Sequence, residues 1–203
     1  MKDRCIIVGS MDVDSRIQDY LNDSFLIAAD GGLLNVEKNN ITPDLIIGDF
    51  DSLGFEPTGD NVIKHPVKKD DTDMMLAVKK AIDLGYQEIV IFGGCGGRLD
   101  HTLANINTMV YALEKGANIS ILDSENDMYI TDSAIKVSRS YKDNFSLFAI
   151  EEKAIVDIEG AEYSGSEIVI SNDTTLGVSN SFAEDEVRIN VVDGTVLIVV
   201  SDE

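Results

Sequence analysis

Residues 43–54 read PDLIIGDFDSLG. Leu45, Ile46 and Ile47 form a short apolar run closed by Gly48, and two aspartates, Asp49 and Asp51, then flank a single phenylalanine. A run this short, with Pro before it and Gly after it, reads as a buried strand rather than a helix. The same pattern recurs up to about residue 125, in CIIVG (5–9), FLIAAD (25–30), LIIGD (45–49), NVIKH (61–65), EIVIFGG (88–94) and NISILD (118–123). Between the last three runs the spacing predicts two helices. One begins near Thr72, places Met75, Val78 and Ile82 on one face and ends before Gly85; the other runs from about Thr102 to Lys115 and stops at Gly116. Short strands alternating with amphipathic helices give a mostly parallel sheet covered by helices.

After Asp127 the helical period disappears. AIKVSR (134–139), FSLFAI (145–150), AIVDIEG (154–160), EIVIS (167–171), VRINVV (187–192) and TVLIVV (195–200) follow, punctuated by Gly, Asn and Asp. Alternating short runs of this kind predict a β-sandwich. The expected fold is therefore α/β plus all-β, with an α/β domain over 1–128 and a β-sandwich over 129–203.

The 203 residues are 44% hydrophobic, enough for a sizeable core. With 37 acidic and 16 basic residues the formal net charge is −21, a field that repels nucleic acid and anionic membranes. Magnesium held by carboxylates reverses that sign where it sits. The apolar run near the N-terminus is too short for a signal peptide and no run reaches membrane-spanning length, so a cytoplasmic protein is expected. Cys5 and Cys95 offer neither a disulfide framework nor a zinc site.

Ligands of open α/β sheets bind outside the carboxyl ends of the strands. Here those ends carry Ala29-Asp30-Gly31-Gly32, Gly48-Asp49-Phe50-Asp51-Ser52, Lys69-Asp70-Asp71-Thr72-Asp73 and the loop from Gly93 to His101, GGCGGRLDH. Each has a plain structural use as well. Asp70, Asp71 and Asp100 suit helix N-termini, Asp30-Gly31-Gly32 suits a tight turn, and Asp49 and Asp51 suit a solvated turn. Carboxylates gathered at one edge repel, and a divalent cation, magnesium, resolves the repulsion. The loop GGCGGRLDH adds backbone N–H groups open to close approach and, at Arg98, a guanidinium fork for phosphate oxygens. It is neither the dinucleotide fingerprint nor a Walker A loop. Lys64, Lys68 and Lys69 add positive charge nearby, although lysines in such a stretch are ordinarily solvated.

Taken in order, ADGG (29–32), PDLIIGDFDS (43–52), KDDTD (69–73), GGRLDH (96–101) with Asn105 following, and GVSNSF (177–182) resemble the motifs of bacterial-type thiamin pyrophosphokinases. The resemblance implies an α/β domain that carries catalysis, ATP and Mg2+, and a β-sandwich for thiamin binding and dimerisation. It implies a homodimer, with thiamin sites between the α/β domain of one subunit and the sandwich of the other. The reaction it implies transfers the diphosphate of ATP to the primary hydroxyl of thiamin and releases AMP. Carried onto this chain, the catalytic set is Asp49, Asp70, Asp73, Asp100 and Arg98, and the magnesium ligands are Asp49, Asp51, Asp70, Asp73 and Asp100. One of these aspartates instead orients or deprotonates the hydroxyl, and Asp71 falls at the variable position of its motif. ATP falls to Arg98, Gly96, Gly97, Asp30, Gly31, Gly32, His101 and Asn105; thiamin falls to Ser179, Asn180 and Asp100.

Two departures stand out. Ser181 replaces a commonly acidic residue, and the chain has no tryptophan to serve as the one that animal and fungal members place near the substrate. Phe182 and Tyr163 are the substitutes if exposed, with core packing the alternative for Phe182. Two rival readings remain. DFDS also resembles the nucleophile loop of haloacid dehalogenase phosphatases, but that loop ordinarily follows the first strand, and GGRLDH and GVSNSF are then unexplained. A non-catalytic nucleotide-binding module has no need of every acidic motif.

Overall fold

The computed structural model describes residues 2–139 and 142–202. The chain divides into two compact units, Met1–Ser124 and Glu125–Glu203.

The first unit runs β1 (Arg4–Val8), α1 (Ile17–Tyr20), β2 (Ser24–Ala29), α2 (Gly32–Lys38), β3 (Leu45–Gly48), β4 (Val62–Lys64), α3 (Asp73–Asp83), β5 (Glu88–Phe92), α4 (Leu99–Glu114) and β6 (Asn118–Leu122). Its strands lie in the order β6-β5-β1-β2-β3-β4, and every pair is parallel. All six apolar runs are strands. All but the edge strand β4, which is half-buried to exposed, are buried along most of their length, as the near-continuous Val/Ile/Leu runs of a parallel sheet require.

The helices differ from expectation in detail. The buried stripe of α3 is Met74, Ala77, Val78 and Ala81, with Met75 and Ile82 only half-buried; the two alanines are small enough to bring that face of the helix close to its neighbours. Thr72 caps it, its Oγ1 accepting from the Met75 N–H at 3.2 Å. Helix α4 begins at Leu99, three residues before the expected start, and Asp100 falls in its first turn, where a carboxylate complements the helix dipole. The two short helices α1 and α2 are additions to the sequence reading.

The second unit holds β7 (Asn126–Thr131), β8 (Ala134–Ser138), β9 (Asn144–Ala149), β10 (Lys153–Glu159), β11 (Gly165–Ser171), β12 (Asn180–Ser181), β13 (Glu186–Asp193) and β14 (Val196–Ser201). One antiparallel layer is ordered β12-β9-β14-β7 and the other β11-β10-β13-β8. Inward-facing residues of both layers make one core. Phe145, Leu147, Val196, Ile198 and Val200 come from the first layer, and Val137, Val156, Ile158, Ile170, Val187 and Ile189 from the second. The sandwich is thus present, with every expected run a strand.

Strands β7 and β12 were not legible as runs. In β7 the polar residue Asp127 sits in the strand, and its carboxylate meets Lys142 Nζ at 2.9 Å with both side chains almost wholly buried. Removing one partner of such a pair leaves an uncompensated buried charge and costs about 3–5 kcal/mol. Among the described residues, no helix is long and apolar enough to cross a membrane.

Candidate functional site

Strand β1 lies between β2 and β5. The chain winds outward through β2, β3 and β4, then returns to place β5 on the other side of β1. The connections that leave β1 and β5 therefore diverge, and a crevice opens at their carboxyl ends. The loops at this point are tied together: Gly9 N–H donates to Phe92 O at 2.8 Å and Met11 N–H to Gly93 O at 3.2 Å. From α2, Asn35 Nδ2 donates to the carbonyls of Gly9 at 2.8 Å and Met11 at 2.7 Å. The resulting cleft has a volume of about 390 Å³, and Ser10, Met11, Asp30, Asp73, Arg98 and Asn105 are among the residues on its walls. That size suits a small-molecule ligand.

The ADGG and DFDS motifs build one side of the site. A Cβ on Gly32 would stand 1.9 Å from the Val8 carbonyl, so only glycine lets α2 start against the end of β1. Asp30 has φ +46° and its N–H donates to Ile47 O at 2.8 Å. Ser52 Oγ donates to Asp30 Oδ2 at 2.9 Å, while Asp30 Oδ1 is buried without a hydrogen-bond partner.

Phe50 explains why a phenylalanine separates two aspartates. At φ +64° its backbone turns back, and its ring is buried against Gly48, where a Cβ would come within 3.0 Å of the ring. A non-glycine residue in this conformation carries a strain that only a structural return offsets. Here the return is the buried ring, which holds the turn. Asp51 N–H donates to Asp49 Oδ1 at 3.2 Å, and Asp49 points inward while Asp51 is exposed.

At the centre stands Lys69. Its Nζ lies 2.9 Å from Asp49 Oδ2 and 2.6 Å from Asp73 Oδ1, and the three side chains are only 13%, 11% and 18% exposed. The hydrogen bond from Lys69 holds the Asp49 carboxyl below its ordinary value, against the opposing effect of burial. Asp73 shares the same ammonium, yet burial pushes its carboxyl up more than Lys69 draws it down. Burial favours a neutral Lys69, but its hydrogen bonds to Asp73 and Asp49 outweigh that and raise the ammonium above its usual range. The charge of Asp49 raises exposed Asp51, with Asp30 contributing. Asp30, Asp49, Asp51 and Asp73 thus form one electrostatic group.

The remaining expected residues fall elsewhere around the cleft. Arg98 grips Asp100 with a fork, Nε to Oδ1 at 3.1 Å and Nη2 to Oδ2 at 2.5 Å, both side chains largely exposed. That bond holds Asp100 below the usual carboxylate range. Asn105 Nδ2 donates to Gly94 O at 2.6 Å and so braces the glycine loop. Gly96 and His101 line the cleft beside it, and Gly31 and Gly97 stand in the adjoining turns. Asp70 is exposed, and Asp71 turns away to Lys79 at 2.6 Å. Among the described residues, no three His, Cys, Asp or Glu side chains stand at metal-ligand spacing.

In the second unit Asn180 is buried, and its amide is engaged by backbone. Oδ1 accepts from Tyr163 N–H at 3.0 Å and Ser181 N–H at 2.9 Å, and Nδ2 donates to Tyr163 O at 2.9 Å. Ser179 is exposed at φ +60°, its N–H donating to Ser146 Oγ at 3.0 Å. Phe182 is core, edge-on to Phe145 with ring centres 5.3 Å apart, so it is no platform for a ligand; Tyr163 is 68% exposed.

Sequence reasoning missed the centrality of Lys69, the latch of Ser52 and the loop clamp of Asn35. For Lys69 a signal existed, a single base opening an acidic motif; for Asn35 there was none.

Comparison with known proteins matches residues 17–121 to the thiamin pyrophosphokinase catalytic domain and residues 132–196 to the thiamin pyrophosphokinase vitamin B1 binding domain. Thiamin pyrophosphokinase 1 of Caenorhabditis elegans is 22% identical over 191 residues, covering 86% of this chain and 79% of that protein. Thiamine pyrophosphokinase of Bacillus subtilis is 31% identical over 106 residues, about half of each chain (49% and 50%). Among solved structures, a thiamin pyrophosphokinase family protein from Enterococcus faecalis superposes with a TM-score of 0.86 at 25% identity, covering 98% of this chain and 99% of that one. The chain therefore belongs to the thiamin pyrophosphokinase family.

Proposed function

We propose that this chain transfers the diphosphate of ATP to the primary hydroxyl of thiamin, giving thiamin diphosphate and AMP, in the cleft between the ends of β1 and β5. The observation that carries the reading is that one cleft has both Asp73, which can face a cation, and Arg98, which can grip phosphate, on its walls. The hydroxyl oxygen forms a bond to the β-phosphorus, and the bridge from the β-phosphorus to the α-phosphate oxygen breaks. The hydroxyl proton goes to a carboxylate or to water, and AMP leaves with the bridging oxygen.

The donor set fits magnesium. Asp49 and Asp73 already converge on a positive charge, Lys69 Nζ, and magnesium typically takes one or two carboxylates and completes its shell with substrate phosphates and water. Asp49 and Asp73 would hold it, with Asp51, Asp70 and Asp100 acting through water. Bound there, magnesium supplies neutralising charge to the triphosphate. Arg98 and the N–H groups of the loop through Gly96 and Gly97 bind phosphate oxygens. Asp30 Oδ1, buried and unpartnered, accepts from the nucleotide, and Asp30, Gly31 and Gly32 shape that wall, with His101 and Asn105 opposite. Asp100, kept ionised by Arg98, is a weak base and so orients the thiamin hydroxyl rather than deprotonating it.

The 1–128 region is the catalytic domain in this reading, and 129–203 the thiamin-binding and dimerisation domain of a cytoplasmic homodimer. Ser179 and exposed Tyr163 meet thiamin, and Asn180 positions both. An acidic protein suits a cationic substrate.

The test is AMP release from ATP with magnesium, with and without thiamin. Thiamin-dependent AMP supports the proposal, and Asp49→Asn and Asp73→Asn should abolish it in folded protein. Orthophosphate released without any need for ATP would instead favour an aspartate-nucleophile phosphatase.

A further inference from the structure

We infer that Lys69 is a built-in counter-cation that holds the Asp49 and Asp73 carboxylates together in the metal-free protein and must withdraw for a divalent cation to enter, so that Lys69 sets the affinity of the site for that cation. The inference rests on the reading that Asp49 and Asp73 hold the magnesium. Lys69 Nζ lies within 2.9 Å of an oxygen on each carboxylate, from side chains that are largely buried. An ammonium there and a divalent cation drawing on the same two oxygens exclude one another, by space and by like charge.

The bare site needs some cation. Asp30 and Asp51 add negative charge beside Asp49 and Asp73, and the chain as a whole carries −21. A protein with only 16 basic residues places one of them here.

The two carboxylates are the fixed partners. Asp49 follows β3 on the turn clamped by the Phe50 ring, and Asp73 opens α3. Lys69 sits in the connection between β4 and α3, on a four-carbon stem that can swing without moving either element. Cation entry is therefore an exchange of charges rather than a filling of empty space, and Lys69 is a positioning residue for the metal ligands.

The test uses Mn2+ as probe, with neither ATP nor thiamin present, so that it stands apart from any failure of thiamin-dependent AMP release. Free Mn2+ is followed by electron paramagnetic resonance as the parent protein, Lys69→Met and Lys69→Arg are titrated. Lys69→Met should bind Mn2+ roughly tenfold more tightly than the parent, the change that about 1.4 kcal/mol produces. It should also melt at lower temperature without metal and recover on adding Mn2+. Lys69→Arg keeps the charge and should keep the parent affinity. Unchanged or weaker binding by Lys69→Met, or no Mn2+ binding by parent and variants alike, would overturn the inference. Should Lys69→Met fail to fold, reductive methylation of the parent followed by mass spectrometry decides. Lys69 should be modified faster with Mg2+ than without it, and equal rates would overturn the exchange.

Discussion

Phe50 carries the sharpest stability test, because two opposing effects at one residue have calculable signs. The residue is 4% exposed, its ring rests on Gly48, and its backbone has φ +64°. Phe50→Ala deletes the ring and leaves a void, a change worth about 3–5 kcal/mol in a core. At the end of a strand the surroundings can partly collapse, so about 3 kcal/mol is expected. In a protein of 203 residues that lowers the melting temperature by about 6–12 °C.

Phe50→Gly loses the same ring but relieves the left-handed backbone, worth about 1–2 kcal/mol to an L-residue. Against this, glycine costs about 0.5–1 kcal/mol in backbone entropy relative to alanine. Glycine should therefore be the more stable of the two, by up to about 1.5 kcal/mol, the reverse of the usual order. Thermal melting by circular dichroism reads both. A Phe50→Ala protein melting within about 2 °C of the parent would refute the role of the ring, and Phe50→Gly melting below Phe50→Ala would refute the left-handed turn. Both variants should also lose transferase activity, since the same turn carries Asp49 and Asp51.

Arg98→Lys keeps one charge but loses the fork now seen on Asp100, so the KM for ATP should rise severalfold; an unchanged KM and kcat would make Arg98 a solvated loop residue. Asn180→Ala removes two hydrogen bonds to the Tyr163 backbone, so unfolding should show a loss of about 2 kcal/mol. Its KM for thiamin should rise more than its KM for ATP, and equal rises would reduce Asn180 to structural support. The pH dependence of stability follows from Asp73, whose carboxyl is raised above 3.8 by burial while Lys69 opposes the rise. A raised carboxyl contributes stability that is full below its unfolded value and lost as pH rises through its folded value. Without Lys69 the rise is larger, so Lys69→Met should lose more stability than the parent as pH rises above the ordinary carboxylate value in metal-free buffer; parallel stability curves over that rise would contradict the coupling.

The parallel sheet was legible because each strand except β4 is a short apolar run stopped by glycine or aspartate, and the sandwich because β10, and β13 as far as Val191, place a buried residue at every second position. Strand β7 was hidden by Asp127, which reads as a turn residue until Lys142 is placed against it. The start of α4 was hidden by Leu99 and Leu103, exposed leucines that break the apolar period the eye follows. In the site, the aspartates could be found from their places at strand ends. Lys69 was visible as the base that opens an acidic motif, but its pairing with Asp49 was not, because that partner lies 20 residues away and meets it only through the fold. The engagement of Asn180 with Tyr163, 17 residues distant, was out of reach for the same reason.

Phosphorus NMR of a mixture of ATP, thiamin and magnesium with the protein tests the central claim most directly, because it follows every phosphorus at once. The account requires AMP and a thiamin diphosphate ester to appear together in equal amounts as ATP disappears, and nothing to change when thiamin is left out. ADP with thiamin monophosphate, or orthophosphate in place of the ester, would contradict transfer of an intact diphosphate.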